Sequence, residues 1–287
     1  MKFGNLPPEI IDSLKRFIDE DVRSGDITTQ LTIPEDTSAV ATIYAKERAI
    51  LAGIEEVAAI ANFSGLTYDV LAFEGNWVDP QEPVMRLKGS AKTLLTIERV
   101  CLNIVQRMSG IATKVYNMLS VARAGNPKIR IAATRKTTPG FRFFEKRAVV
   151  VGGGDPHRYA LDDMVLIKNN HITAVGGIRA AVAAARETIS FSKKISCEAR
   201  TLQEVQEAIG EGADIVLLDN FRPKDVRGVI EVLESEGLRK KVILEVSGGV
   251  NMENAREYAE TGVDVLSSGA LTHSCKSSDF NMVLSMN

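Results

Sequence analysis

Apolar residues recur along the chain in three rhythms. Between residues 42 and 87 they come in short runs, 42–45 and 83–87, broken by turn residues and by one helical stretch near 55–62, which predicts an α+β unit of short strands around a helix. From Lys92 to about Ala122 the apolar positions Leu94, Ile97, Val100, Ile104, Met108 and Ile111 recur every three or four residues, the spacing of one face of a long helix. Arg99, Asn103 and Gln106 fall at i, i+4 and i+7 on that helix and share a polar row, either a solvated edge or the wall of a site. Beyond residue 128 strands alternate with helices, the strands beginning near Ile129, Met164, Lys194, Ile215, Val242 and Val265. A weak repeat at an offset of 50 residues, GADIV at 212–216 against GVDVL at 262–266, marks helix ends feeding buried strands.

Only 159 residues remain from Ile129 onward. A complete eight-stranded α/β barrel takes roughly 250. The expected architecture is therefore α/β: an N-terminal α+β domain over 1–115, a six-stranded, incomplete TIM-like barrel over 116–274, and a C-terminal tail over 275–287. In such a winding the residues just after each strand share one face, where barrel enzymes place their sites. Those positions carry Thr134 to Thr137 with Arg135 and Lys136, then Lys168, Asn169, Asn170 and His171, then Glu198, then Asp219 and Asn220, then Ser247, Gly248 and Gly249, and finally Ser268 and Gly269. Cations, carboxylates and Gly/Ser turns at six strand ends together predict a site.

The charge pattern sharpens this. Nine Lys or Arg against four Asp or Glu between residues 128 and 168 give a local +5 in a chain of net charge −2, so a polyanion is expected there and not over the whole surface. Arg135, Arg142 and Arg158 offer planar forks for carboxylate or phosphate, Lys136 and Lys168 point charges. Gly152 to Gly154, followed by His157 and Arg158, could bring backbone N–H groups to an anion or simply form a flexible turn. Glu198 and Asp219 suit Mg²⁺ held through water, or stabilisation of developing positive charge, but equally a helix cap and an ion pair. Among the histidines, His171 reads as the most structural.

Other classes lose ground on the same evidence. No apolar stretch approaches the roughly 18 residues of a membrane span, and prolines 7 and 8 interrupt the start, so no membrane association and a cytoplasmic location are expected. Cys101, Cys197 and Cys275 are too far apart for a zinc or redox pair and are expected to be three buried thiols. Phe141, Phe143 and Phe144 around Arg142 could stack on single-stranded nucleic acid, but they adjoin a Pro-Gly turn, and no nucleic-acid partner is expected.

At these residues the sequence resembles the quinolinate phosphoribosyltransferases. The matching runs are EDVRSGDIT at 20–28, ERVCLNIVQRMSGIAT at 98–113, TRKTTPG at 134–140, GGGDPHR at 152–158, LIKNNH at 166–171, LDN at 218–220, SGG at 247–249 and SGALTHS at 268–274, in family order over nearly the whole chain. The resemblance implies an N-terminal open sandwich that covers the incomplete barrel of a second subunit, in a homodimer with shared active sites or a larger assembly of such dimers. It implies a pentosyltransferase of NAD synthesis: quinolinate and phosphoribosyl pyrophosphate, with Mg²⁺, give nicotinate mononucleotide, pyrophosphate and CO2. By family motif, Arg99 from the partner subunit, Arg135, His157, Arg158 and Lys168 would bind the pyridine dicarboxylate; Lys136, Glu198, Asp219, Ser247, Gly248, Gly269 and His273 would serve ribose, phosphates and metal. Lys136, Lys168, Glu198 and Asp219 would act in the chemical step. Three positions depart from the pattern: Ala133 where many members have Asp, Asp155 before Pro156 where many have Asn, and Arg200 at a spot often acidic. They leave open a different substrate, as in the molybdenum-transport-associated relatives, or a non-catalytic nucleotide-binding protein.

Overall fold

The computed structural model describes residues 6–286. Their contacts form two compact units that interleave in sequence, one made of the chain up to Lys114 with 138–153 and the stretch from Ser274, the other of 115–137 and 154–273.

The first unit opens with α1 (Pro8–Val22), which starts on a proline whose missing N–H would have had no helical partner, and α2 (Ile27–Thr32), where Asp26 accepts the Thr29 N–H at 3.0 Å. There follow β1 (Ser38–Ala45), β2 (Ala49–Ile50), α3 (Ile54–Phe63), β3 (Thr67–Val70), β4 (Trp77–Val78), β5 (Pro83–Ser90) and α4 (Ala91–Gly125), whose residues from Val115 on belong to the second unit. The apolar stripe of α4 is its buried face: Leu94, Met108 and Ile111 are fully covered and Ile97, Val100 and Ile104 nearly so. Two later stretches belong here as well, α5 (Arg142–Val151) and β12 (Phe280–Met286). β12 runs antiparallel to β1, from Ala39 opposite Met286 to Ala45 opposite Phe280, and completes a four-stranded sheet ordered β12-β1-β5-β3. Gln106, read as part of the polar row, holds this strand: its side-chain N–H donates to the Phe280 carbonyl at 2.9 Å.

The second unit is built on β6 (Arg130–Ala132), β7 (Val165–Ile167), β8 (Ile195–Ala199), β9 (Ile215–Asp219), β10 (Ile243–Ser247) and β11 (Val265–Ser267). All pairings are parallel, in the order β6-β11-β10-β9-β8-β7, and β6 and β7 stand at the two ends. Every strand begins within one residue of the position read from the sequence, because buried parallel strands are continuous apolar runs. The helices α6 (Asn169–Val175), α7 (Ile178–Thr188), α8 (Leu202–Gly210), α9 (Pro223–Ser235), α10 (Ala255–Ala259) and α11 (Ala270–His273) alternate with them. Among the described residues no helix is long and apolar enough to cross a membrane.

The cysteines are free, but only two are buried: Cys101 and Cys197 lie in the core, where burial pushes their thiols up to about 12, whereas Cys275 is half-buried after α11.

Candidate active site

Six strands running the same way bring their C-terminal ends to one side, and register levels those ends: Ser247 lies beside both Asp219 and Ser267. A cavity of about 530 Å³ opens there. After β6 it is lined by Arg135 and Lys136, both exposed. Lys136 runs across Gly269, where a Cβ would come within 2.6 Å of its Cδ and 3.2 Å of His273 Nε2, so a larger residue there would displace the lysine side chain. The Thr272 hydroxyl donates to the Lys136 carbonyl at 2.7 Å, so α11 fixes the loop that carries the lysine. Gly269 and His273 thus stand beside Lys136 without lining the cavity themselves.

Lys168, after β7, reaches Glu198 at the end of β8, 3.2 Å from Nζ to Oε1. The other oxygen of Glu198 accepts the N–H of Asn169, the first residue of α6, at 3.1 Å. Both ordinary roles of this 7% exposed carboxylate, ion pair and helix cap, are realised at once. Asp219, the last residue of β9, faces Arg200 at 3.6 Å, so one of the three departures bears directly on a candidate carboxylate. Ser247, which ends β10, and Gly248 after it line the same cavity. Gly248 has φ +93, and a Cβ there would lie 2.2 Å from Asn220 Oδ1; Asn220 itself has φ +60 and donates its N–H to the Ser247 carbonyl at 2.9 Å. The β9 and β10 loops interlock on these two residues.

His157 and Arg158 enter from the segment that precedes β7. Asp155 forms a parallel bridge to Ala132 along β6, and its carboxylate accepts the His157 N–H at 2.7 Å, a bond that the side-chain oxygen of Asn could make equally. Arg158 donates from Nη1 to the Met164 carbonyl at 3.3 Å. Burial pulls the pKa of Arg158 down and the charge of Arg135 pulls it further, against Asp163 and Glu245. A guanidinium fork whose charge is disfavoured by burial and by a second fork in the same cavity marks a place for an anion.

Several sequence readings are corrected. Arg142 lies on α5 in the first unit, together with the fully buried Lys146 and with Arg147, and Lys128 and Arg130 lie outside the cavity as well, so only four of the nine local cations, Arg135, Lys136, Arg158 and Lys168, line it. The glycine run ends α5, with Gly152 and Gly153 donating to the carbonyls of Ala148 and Val150. Phe141, Phe143 and Phe144 pack on one another, and Phe17 lies 5.7 Å from Phe141 and 5.5 Å from Phe144 between centroids. His171 is structural as read: its Nδ1 accepts the Lys168 N–H at 2.9 Å at the start of α6. Arg99 and Asn103 are exposed on α4 in the first unit. Glu245, on β10, lines the cavity and was not anticipated; a charge inside the apolar run ILEVS was the available signal.

Comparison with known proteins finds relatives over nearly the whole chain. The N-terminal domain model of quinolinate phosphoribosyl transferase matches residues 26–109 and the C-terminal domain model residues 111–283. The probable nicotinate-nucleotide pyrophosphorylase [carboxylating] of Methanothermobacter thermautotrophicus is 44% identical over 273 residues, covering 95% of this chain and 98% of that protein. The human nicotinate-nucleotide pyrophosphorylase [carboxylating] is 39% identical over 246 residues, covering 85% and 82%. A crystal structure of NadC from Streptococcus pyogenes superposes with a TM-score of 0.91 at 35% identity, covering 99% of both chains. With both domain models matched in order and the strand-end residues gathered in one cavity, the chain belongs to the quinolinate phosphoribosyltransferase family.

Proposed function

We propose that this protein transfers the phosphoribosyl group of phosphoribosyl pyrophosphate to quinolinate, releasing pyrophosphate and CO2 and leaving nicotinate mononucleotide. The observation that carries the reading is the pair of arginine forks, Arg135 and Arg158, in one cavity with Lys136, Lys168, Glu198 and Asp219. Two substrates that together bring two carboxylates, a phosphate and a pyrophosphate need such a set. Arg135, Arg158 and Lys168, with His157 behind them and Arg99 of a partner subunit, take the pyridine dicarboxylate. Lys136, Ser247, Gly248, Gly269 and His273 serve the phosphates and ribose. The site works as a homodimer, or a larger assembly of dimers, in the cytoplasm.

No nucleophile from the chain is needed, because the pyridine nitrogen attacks the anomeric carbon as pyrophosphate leaves. Glu198 and Asp219 favour the oxocarbenium-like charge on the ribose. The quaternised ring is then the electron sink for loss of the neighbouring carboxylate. Glu198 and Asp219 are the carboxylates in the cavity that would hold Mg²⁺ through water, beside oxygens of the substrate. When bound, Mg²⁺ would neutralise the leaving pyrophosphate. The test is to mix the purified protein with quinolinate, phosphoribosyl pyrophosphate and Mg²⁺ and follow nicotinate mononucleotide. Formation that needs all three supports the reading, and none with folded protein overturns it.

A further inference from the structure

Glu245 is the one carboxylate in the interior of β10, 2% exposed, and by strand alternation it shares its face with Ile243 and Ser247. A carboxylate buried to that degree must be compensated. Its Oε2 lies 3.2 Å from His157 Nε2, and its charge also acts on Arg158. His157 is held by two further hydrogen bonds in an unusual backbone conformation. Its backbone sits at φ +53, in the left-handed region that a residue with a side chain rarely adopts. Its N–H goes to Asp155 Oδ1, and its Nδ1 accepts the N–H of Arg158 at 2.8 Å. A ring nitrogen that accepts an amide proton carries none of its own, so in the neutral ring the proton sits on Nε2, which faces Glu245.

We propose that Glu245 is a positioning residue: by accepting the Nε2 proton it fixes His157 in the tautomer whose Nδ1 holds the Arg158 backbone, and so sets Arg158 as one of the two forks that take the pyridine dicarboxylate. Both ring nitrogens of His157 are then engaged within the chain, and the imidazole serves the substrate through Arg158. This rests on the proposed function for what Arg158 binds, whereas the tautomer itself does not.

The experiment is long-range 1H–15N correlation on protein carrying 15N-histidine, at about pH 8 where an ordinary imidazole is neutral, with the signals assigned by His171→Gln and His273→Gln. Wild-type His157 should be protonated at Nε2 and unprotonated at Nδ1. Glu245→Gln keeps an acceptor oxygen and should keep that signature, with the quinolinate KM within about threefold of wild type. Glu245→Leu should lose it, raising the quinolinate KM by about tenfold or more with that for phosphoribosyl pyrophosphate within about threefold. Nδ1 protonation in the wild type would overturn the proposal, as would an unchanged tautomer in Glu245→Leu or equal rises in both constants. If Glu245→Leu does not fold, the wild-type tautomer and Glu245→Gln decide. Absent turnover in the wild type would sink the proposed function and leave the tautomer result standing.

Discussion

Glu56 should make the stability of the first unit fall as pH rises, and Glu56→Gln should abolish that fall. Glu56 is fully buried on α3, and one guanidinium, Arg147 from α5, serves three carboxylates: Glu56 at 3.0 Å, Glu74 at 2.5 Å, and Glu55 in close contact. Oε1 of Glu56 is buried without a hydrogen-bond partner. Burial raises the pKa of Glu56 from 4.5 to about 8; Arg147 opposes the rise, and Glu74 and Glu55 add to it. A raised pKa means that the folded chain keeps a proton which the unfolded chain gives up, so stability present below about 4.5 is lost progressively up to about 8. Between pH 5.5 and 8.5 the loss integrates to about 3 kcal/mol, on the order of 5–10 °C in melting temperature. Calorimetric melting of wild type and Glu56→Gln across that range measures it: the variant should melt increasingly above the wild type as pH rises. A gap that stays constant with pH, or a variant that melts lower at pH 8.5, would refute the reasoning.

Further expectations concern the cavity. Arg135→Lys keeps the charge and loses the fork, so the quinolinate KM should rise by about 5- to 150-fold, about 1–3 kcal/mol, while steady-state kinetics show the other substrate little affected. Lys136→Ala should act chiefly on phosphoribosyl pyrophosphate; equal damage to both constants would show the roles wrongly divided. Inactive Arg99→Ala and Lys168→Ala proteins, mixed under verified subunit exchange, should regain activity through one intact shared site, and sustained inactivity would place Arg99 within its own subunit. Gly248→Ala puts a Cβ 2.2 Å from Asn220 Oδ1 at a positive φ; it should cost about 1–3 kcal/mol of stability by denaturant titration and lower kcat/KM.

What could be read from the chain before folding follows from locality. Strand starts in the second unit were legible because each is an apolar run bounded by turn residues, and the strand-end residues followed once the winding was known. Glu245 is not legible in this way because it lies inside a strand and its partner His157 is 88 positions away. The Arg147 cluster joins α3, α5 and the loop before β4 through contacts 73 to 92 positions apart. β12 is a short apolar run whose meaning depends on β1, more than 230 residues earlier. Composition also overstated the cationic cavity: α5 takes Arg142, Lys146 and Arg147 into the first unit, and Lys168 is paired with Glu198.

In the proposed reaction, ribosylation makes the ring an electron sink before the carboxylate leaves. Quinolinate labelled in the carboxyl group adjacent to the ring nitrogen tests it most directly. With the enzyme and Mg²⁺ alone no labelled CO2 should appear, and on adding phosphoribosyl pyrophosphate one labelled CO2 should be released for each nicotinate mononucleotide formed. Label escaping without phosphoribosyl pyrophosphate, or nucleotide accumulating with the label retained, would contradict the account.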